Sequence, residues 1–307
     1  MKKAIFYTSA AIALTIVIII TYSAYTSYRL SDNMNVVQTR IETVNFFIKS
    51  AERDMSKGIY VASYRTILSF NDFINNNHAF IDDVNARFKE SFLNGTVNGQ
   101  SQNLMFNYTF TDWANKISAE ADKVGIKFNF TINDIRLNQS DPWHVDVAVN
   151  TSFDIRDKKN TSYWTRNEYL TTEISIIGFK DPIYVFNAQG KLNNSIIQSN
   201  ISKFVVKGNV TNLMIHTNNS WYISHNDSPS FLMRFNGNLS NSDAGIESLV
   251  NVDNYTSAGF SDKGRSIVDY IYFGTQSTTN YRVNNTPTWF KLDQAHLDTY
   301  QVTNITI

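Results

Sequence analysis

The first strong pattern along the chain is an unbroken apolar one. Residues 4–22 carry no charge and include the run Leu14-Thr15-Ile16-Val17-Ile18-Ile19-Ile20. At about 1.5 Å per helical residue, such a stretch spans the roughly 30 Å of a bilayer's hydrocarbon. It predicts a transmembrane signal anchor that contacts the lipid bilayer through residues 4–22. Lys2 and Lys3 place its leading side in the cytoplasm by the positive-inside rule and send the remainder outside. The competing reading is a cleaved signal peptide, with Ser23-Ala24 near the cut. The run exceeds the usual apolar core of about 7–15 residues and Tyr22 breaks the small-x-small pattern, which favours a retained anchor.

A period of 3.5 follows. Leu30, Met34, Val37, Ile41, Val44, Ile48, Ala51 and Met55 succeed one another at alternating spacings of four and three, with neither Gly nor Pro between them. Such a heptad seam packs helix against helix. Two roles fit it: self-association with like helices in an oligomer or filament, or packing on the protein's own second helical segment. Residues 59–74 and 79–93 keep helical periodicity, with Phe80, Val84, Phe88 and Phe92 at intervals of four, which favours the intramolecular role. Asn94-Gly95 predicts the helix stop.

Beyond it the period changes. Thr109 and Asp112 have capping-box spacing, Trp113, Ile117, Ala121 and Val124 share a helical face, and Gly125 can close the helix. Ile126, Phe128, Phe130 and Ile132 then alternate with polar residues. After Asp141-Pro142 so do Trp143, Val145, Val147, Val149, Thr151, Phe153 and Ile155, and a turn over 157–160 leads to a third strand over about 162–176. Three antiparallel strands against a helix make a stable unit. From residue 181 short apolar runs are broken by turn residues such as Pro229 and Asn236-Gly237; 204–206, 210–216, 221–224 and 230–235 read as strands and 243–251 as a short helix.

The expected fold class is therefore α+β. A cytoplasmic stub and signal anchor over 1–22 precede an extracytoplasmic helical stalk over 23–100, an antiparallel sheet domain over 101–178 and a β-rich domain over 179–307.

Composition narrows what the exported part can be. Lys plus Arg equals Asp plus Glu at 27 each, so no net field selects nucleic acid as a partner. There is no cysteine among the 307 residues, which excludes disulfides, thiolate chemistry and cysteine metal sites. Asn-x-Ser/Thr triplets, the acceptors of N-linked glycans, begin at Asn94, Asn107, Asn129, Asn138, Asn150, Asn160, Asn193, Asn200, Asn209, Asn218, Asn226, Asn238, Asn254, Asn284 and Asn304. These fifteen are about twice the roughly seven that composition gives by chance, and none falls in the first ninety residues.

Candidate chemistry is sparse. No nucleophile elbow, phosphate loop, dinucleotide fingerprint, His-Glu-x-x-His or calcium loop occurs, so no catalytic residue, cofactor or metal is expected. Of the histidines at 78, 144, 216, 225 and 296, His216 and His225 can meet across a hairpin turning at Asn218-Asn219, but strand-face histidines are the simpler reading. Asp82-Asp83 and Glu120 with Asp122 read as solvated helix surface, and Trp143 with Trp164 as core rather than a sugar platform.

The segments Gly178-Phe179-Lys180-Asp181-Pro182-Ile183-Tyr184, Pro229-Ser230-Phe231-Leu232-Met233-Arg234-Phe235, Gly245-Ile246-Glu247-Ser248-Leu249-Val250, Val268-Asp269-Tyr270-Ile271-Tyr272-Phe273 and Trp289-Phe290-Lys291-Leu292-Asp293 resemble blocks of a family of uncharacterised archaeal membrane-anchored envelope proteins. The resemblance implies a cell surface and carries no site residues. An apolar leading helix running into a long helix also has a general likeness to archaeal pilin-like proteins, although Ala4-Ile5-Phe6-Tyr7 departs from a prepilin cleavage site. The expected function is that of a glycosylated surface protein with a structural or adhesive role and no catalysis, meeting envelope proteins or glycans. A pilin-like filament subunit and an envelope glycan-active enzyme are the alternatives.

Overall fold

The computed structural model describes residues 2–158, 163–192 and 194–307, without the side chains of residues 2–13 and 30–33. It is an α+β protein in which one helix dominates. α1 runs over Lys2–Asn77 without a break and is followed by α2 (Val84–Asn94), a small ribbon of β1 (Thr96–Val97) and β2 (Gln100–Ser101), and α3 (Phe110–Lys123). β3 (Ile126–Asp141), β4 (His144–Asp157) and β5 (Tyr163–Ser175) form a three-stranded sheet in sequence order. The remainder carries α4 (Pro182–Asn187), α5 (Thr211–Asn218), β6 (Tyr222–Ser224), α6 (Phe231–Phe235), β7 (Ile246–Ser248), α7 (Val252–Ser257), α8 (Asp269–Phe273), β8 (Asn280–Arg282) and β9 (Lys291–Asp293). Two compact units result, one of Met1–Asp54, Ile117–Asn129 and Phe153–Arg166, the other of Met55–Lys116, Phe130–Ser152 and Asn167–Ile307.

In the first unit the seam changes character along its length. Met34, Val37 and Ile41 are exposed, whereas Val44, Ile48 and Ala51 are buried. Phe47 meets Phe128 edge to face at 5.7 Å, and Phe128 stacks on Phe153 at 5.8 Å, so sheet residues cover this part of the helix. Arg40 pairs with the buried Asp157 at 2.7 Å and donates to the Gly125 carbonyl at 2.8 Å. Thus the lower part of the seam is buried within the chain. Leu30 and residues 4–13 of the apolar run lie outside the described side chains. Among the described residues no helix is long and apolar enough to cross a membrane.

In the second unit the seam continues inward through Met55, Ile59, Ala62, Ile67, Phe70 and Ile74. Phe70 meets Phe235 at 5.4 Å, and the exposed Tyr64 meets Phe179 at 4.9 Å; full burial of each of the three phenylalanines contributes about 1.5–3 kcal/mol. Asp83 caps α2 by accepting from Ala86 N, and Gly95 closes it in the left-handed conformation at φ 73°, donating to Ser91 O. The Thr109–Asp112 capping box forms: Asp112 N donates to Thr109 Oγ1 at 3.0 Å, and Thr109 N to Asp112 Oδ2 at 3.1 Å. Val124 is exposed, because α3 has already ended at Lys123.

β4 carries the expected alternation, with Val145, Val147, Val149, Thr151, Phe153 and Ile155 buried. β3 is longer than the alternation suggested. Its buried positions shift from even numbers (Ile126, Phe128) to odd ones (Ile135, Leu137), and a slip of one residue hides a strand from a period-two reading.

The expected β-rich region over 179–307 is found only in part: β6 matches the expected strand over 221–224, and β6–β7 and β8–β9 pair antiparallel, but strands are few. Residues 210–216 fall largely in α5 and 230–235 in α6, while the expected helix over 243–251 is a loop containing β7. The strands of this region are three residues each, and short helices and turns wrap a core of Tyr184, Leu213, Leu249, Tyr270, Tyr272, Phe290 and Tyr300. Burial on every side removes the amphipathic signal, and a five-residue element is too short to display a period.

Candidate functional site

β6 and β7 pair antiparallel, with Ile223 opposite Glu247 and Ser224 opposite Ile246. His225 leaves the end of β6 and turns back at once, its N–H donating to Gly245 O at 3.1 Å and its carbonyl accepting from Ser228 N at 3.1 Å. That turn lies directly on Gly245: a Cβ there would sit 2.2 Å from Ser228 O and 2.3 Å from His225 O. Only glycine permits this approach, and the approach sets His225 beside Glu247.

From another part of the chain, β9 delivers Asp293, which opens a 3-10 turn over Gln294–His296. Asp293 accepts from Ala295 N at 3.2 Å and meets His296 Nδ1 at 2.8 Å. His296 Nε2 then lies 3.2 Å from Glu247 Oε2, and His225 Nδ1 lies 3.0 Å from the same oxygen. The two imidazole centroids are 5.3 Å apart.

Each of the three side chains is held at its far end. Tyr300 donates to Glu247 Oε1 at 2.9 Å, and Thr299 Oγ1 lies 3.3 Å from His225 Nε2. Ser266 Oγ donates to Asp293 Oδ2 at 2.7 Å. Ser228 Oγ approaches Glu247 Oε2 at 2.9 Å, and Tyr270 OH approaches His296 Nε2 at 3.2 Å. Glu247 and His296 are buried, while the His225 side chain is 21% exposed and forms the rim.

Burial opposes the charge on Glu247, but the two imidazoles outweigh it and hold the carboxyl well below the usual range. Burial likewise opposes protonation of His296; Asp293 and Glu247 prevail and push it up to about 10. Glu247 raises His225. The His225 contact is close, but it is misaligned for a hydrogen bond and leaves Nδ1 without a hydrogen-bond partner.

Next to this cluster lies a second buried one. Arg234 Nη1 meets Asp181 Oδ2 at 2.6 Å and Asp269 Oδ2 at 2.8 Å, and its Nη2 donates to Ile246 O. Tyr222 donates to Asp181 at 2.7 Å and Ser248 Oγ to Asp269 at 3.1 Å. Burial raises the Asp269 carboxyl to about 6 against the pull of Arg234. Every partner is fully buried, and the chemistry is that of a closed ionic core.

The expected His216–His225 pair does not form, because 211–218 is helical and no hairpin turns at Asn218-Asn219. His216 instead packs on Phe204 at 5.0 Å and Tyr300 at 5.9 Å, and burial lowers it to about 4. His144 Nδ1 faces Asp141 at 3.1 Å and Glu173 at 3.2 Å on the surface. Asp82 and Asp83 lie in the link before α2 rather than on a helix, where Asp82 pairs with Arg87 and Asp83 caps α2, while on α3 Glu120 pairs with Lys123 and Asp122 with Lys158, as solvated helix residues do. Trp143 and Trp164 are both half-buried.

Of the triplet asparagines, Asn160 and Asn193 lie outside the described residues. Asn94, Asn107, Asn129, Asn138, Asn200, Asn209, Asn218, Asn226, Asn238, Asn254, Asn284 and Asn304 are exposed, and Asn150 is half-buried on the polar face of β4.

No model of a protein family, no curated protein and no solved structure matches this chain.

Proposed function

We propose that this chain is a single-pass, membrane-anchored surface protein, with its folded part outside the membrane, N-glycosylated, and with a structural or adhesive role. The observation that carries the reading is the bare apolar stretch of α1: Leu14, Ile16, Val17, Ile18, Ile19 and Ile20 are each 50–65% exposed. Five consecutive apolar residues at about 100° per residue cover every side of a helix, so no single protein face can bury them, whereas hydrocarbon can. Each such side chain gains about 1.5–3 kcal/mol when fully removed from water.

The glycan part of the reading has its own support. None of the thirteen described triplet asparagines donates a hydrogen bond from Nδ2, the atom that a glycan would occupy. Ten other asparagines do donate from theirs: Asn71, Asn77, Asn133, Asn187, Asn194, Asn212, Asn219, Asn241, Asn251 and Asn280. A sugar at the former positions displaces no internal bond.

Protease added to intact cells is expected to digest the carboxyl-terminal region, and glycopeptide mass spectrometry to find modified asparagines from Asn94 onward. A carboxyl-terminal region that is protected until lysis, with every triplet unmodified, overturns the proposal. The exposed upper seam, Met34, Val37 and Ile41, favours a second reading in which like helices associate. Cysteines introduced at these positions would then cross-link in membranes into dimers or larger species.

A further inference from the structure

We infer that His225, Glu247 and His296 form a binding site for one divalent transition-metal ion of the zinc class. Asp293 lies 2.8 Å from His296 Nδ1, so the neutral ring carries its proton there and offers Nε2 as a ligand atom beside Glu247 Oε2 at 3.2 Å. A cation joins such a pair, either a proton on His296 or a metal ion, while Ser228 Oγ donates to the same carboxylate oxygen at 2.9 Å and Tyr270 OH stands 3.2 Å from Nε2. One proton on His296 would serve this pair alone. It leaves His225 Nδ1, buried and 3.0 Å from the same oxygen, without an aligned partner. A metal ion serves all three, and the three ligand atoms lie within 4.8 Å of one another.

The spacing agrees with the ion. Zinc bonds of about 2.0–2.2 Å in tetrahedral geometry place neighbouring ligand atoms about 3.3–3.5 Å apart, so the observed 3.0 and 3.2 Å need only a small expansion. The surroundings agree as well. Asp293 behind His296, Thr299 behind His225 and Tyr300 behind Glu247 are the outer partners that orient metal ligands. Two imidazoles and one carboxylate form a nitrogen and oxygen set that suits zinc better than calcium or magnesium.

The ion would act as a cross-link. Its ligands come from the turn after β6, from β7 and from the 3-10 turn after β9, three segments that a chain without cysteine cannot join by disulfides. Metal affinity at such a site becomes folding stability. The inference stands apart from membrane anchoring, since every ligand belongs to the second compact unit.

The test uses the full chain in detergent, stripped with a chelator and titrated with zinc chloride and, separately, cobalt(II) chloride. We expect one equivalent bound, a rise in the thermal midpoint, and the intense visible absorption of four-coordinate cobalt. His225→Ala, at the rim, should weaken zinc binding by about 100-fold, the upper end of what loss of an outer partner costs, with the circular dichroism spectrum unchanged; His144→Ala, at the exposed cluster, should leave the stoichiometry intact. A folded protein that retains no zinc, equal zinc binding by His225→Ala, or loss of the bound ion in His144→Ala would each overturn the assignment.

Discussion

The Arg234 cluster sets a fixed cation between two buried carboxylates, Asp181 and Asp269, whereas the Glu247 cluster sets one buried carboxylate between two titratable rings, His225 and His296. Both lie in the same core, and β7 serves both: Ile246 O accepts from Arg234, Glu247 faces the imidazoles, and Ser248 donates to Asp269. A guanidinium does not release its proton in a protein, so the first cluster has one state. An imidazole can exchange a proton for a metal ion, and His225 reaches the surface, so the second has several. Identical carboxylate chemistry thus gives a rivet in one place and a responsive site in the other. The cation decides which.

The largest effect should come from removing the rivet. Arg234→Leu leaves Asp181 and Asp269 buried without a counter-charge and should destabilise the fold by about 3–5 kcal/mol in urea unfolding. A smaller loss would mean that the carboxylates relax toward protonation, and the clusters would differ less than argued.

His216 gives a control on what keeps a buried imidazole charged. No carboxylate contacts it within hydrogen-bond distance, and its folded pKa is lowered from 6.5 to about 4. The unfolded chain therefore takes up the proton first, and stability present above pH 6.5 is lost as pH falls through about 4, by about 3 kcal/mol. His216→Gln should flatten the pH dependence of the urea midpoint over that window; an unchanged slope would assign the titration to another group.

Hydroxyl deletions compare the clusters directly. Tyr222→Phe and Tyr300→Phe each remove one donor to a buried carboxylate and should cost about 2 kcal/mol. In calorimetric zinc titration only Tyr300→Phe should change the affinity, so an equal effect from Tyr222→Phe would erase the distinction. Smallest of all, His225→Ala in the zinc-free protein should shift stability by less than about 1 kcal/mol, because its ring is at the rim.

Legibility in the sequence followed the length of each signal. The seam from Val44 to Met55, the alternation of β4, the Thr109–Asp112 capping box and the stop at Gly95 were readable because each is a local rule repeated or completed within a few residues. Asp157 looks along the sequence like the start of a turn, yet it ends β4 as a buried partner of Arg40, 117 residues earlier. α5 and α6 resemble strands along the sequence because short elements buried on several sides show neither period. The histidine partners are hidden for a related reason: the nearest histidine to His225 along the chain is His216, while the one beside it in space is His296.

The sequence by itself determined the long helix, its apolar leading stretch, the three-strand order and the crowding of glycan acceptors beyond Asn94, since these depend on residue type and periodicity along the chain. Tertiary structure alone decided which charges share the interior. Glu247 meets His225 and His296 only because β6 pairs with β7, because Gly245 lets the 225–228 turn lie against it, and because Asp293 starts the turn that aims His296 inward. Such contacts are specified by packing between distant segments, and no pattern along the chain encodes a distance across it.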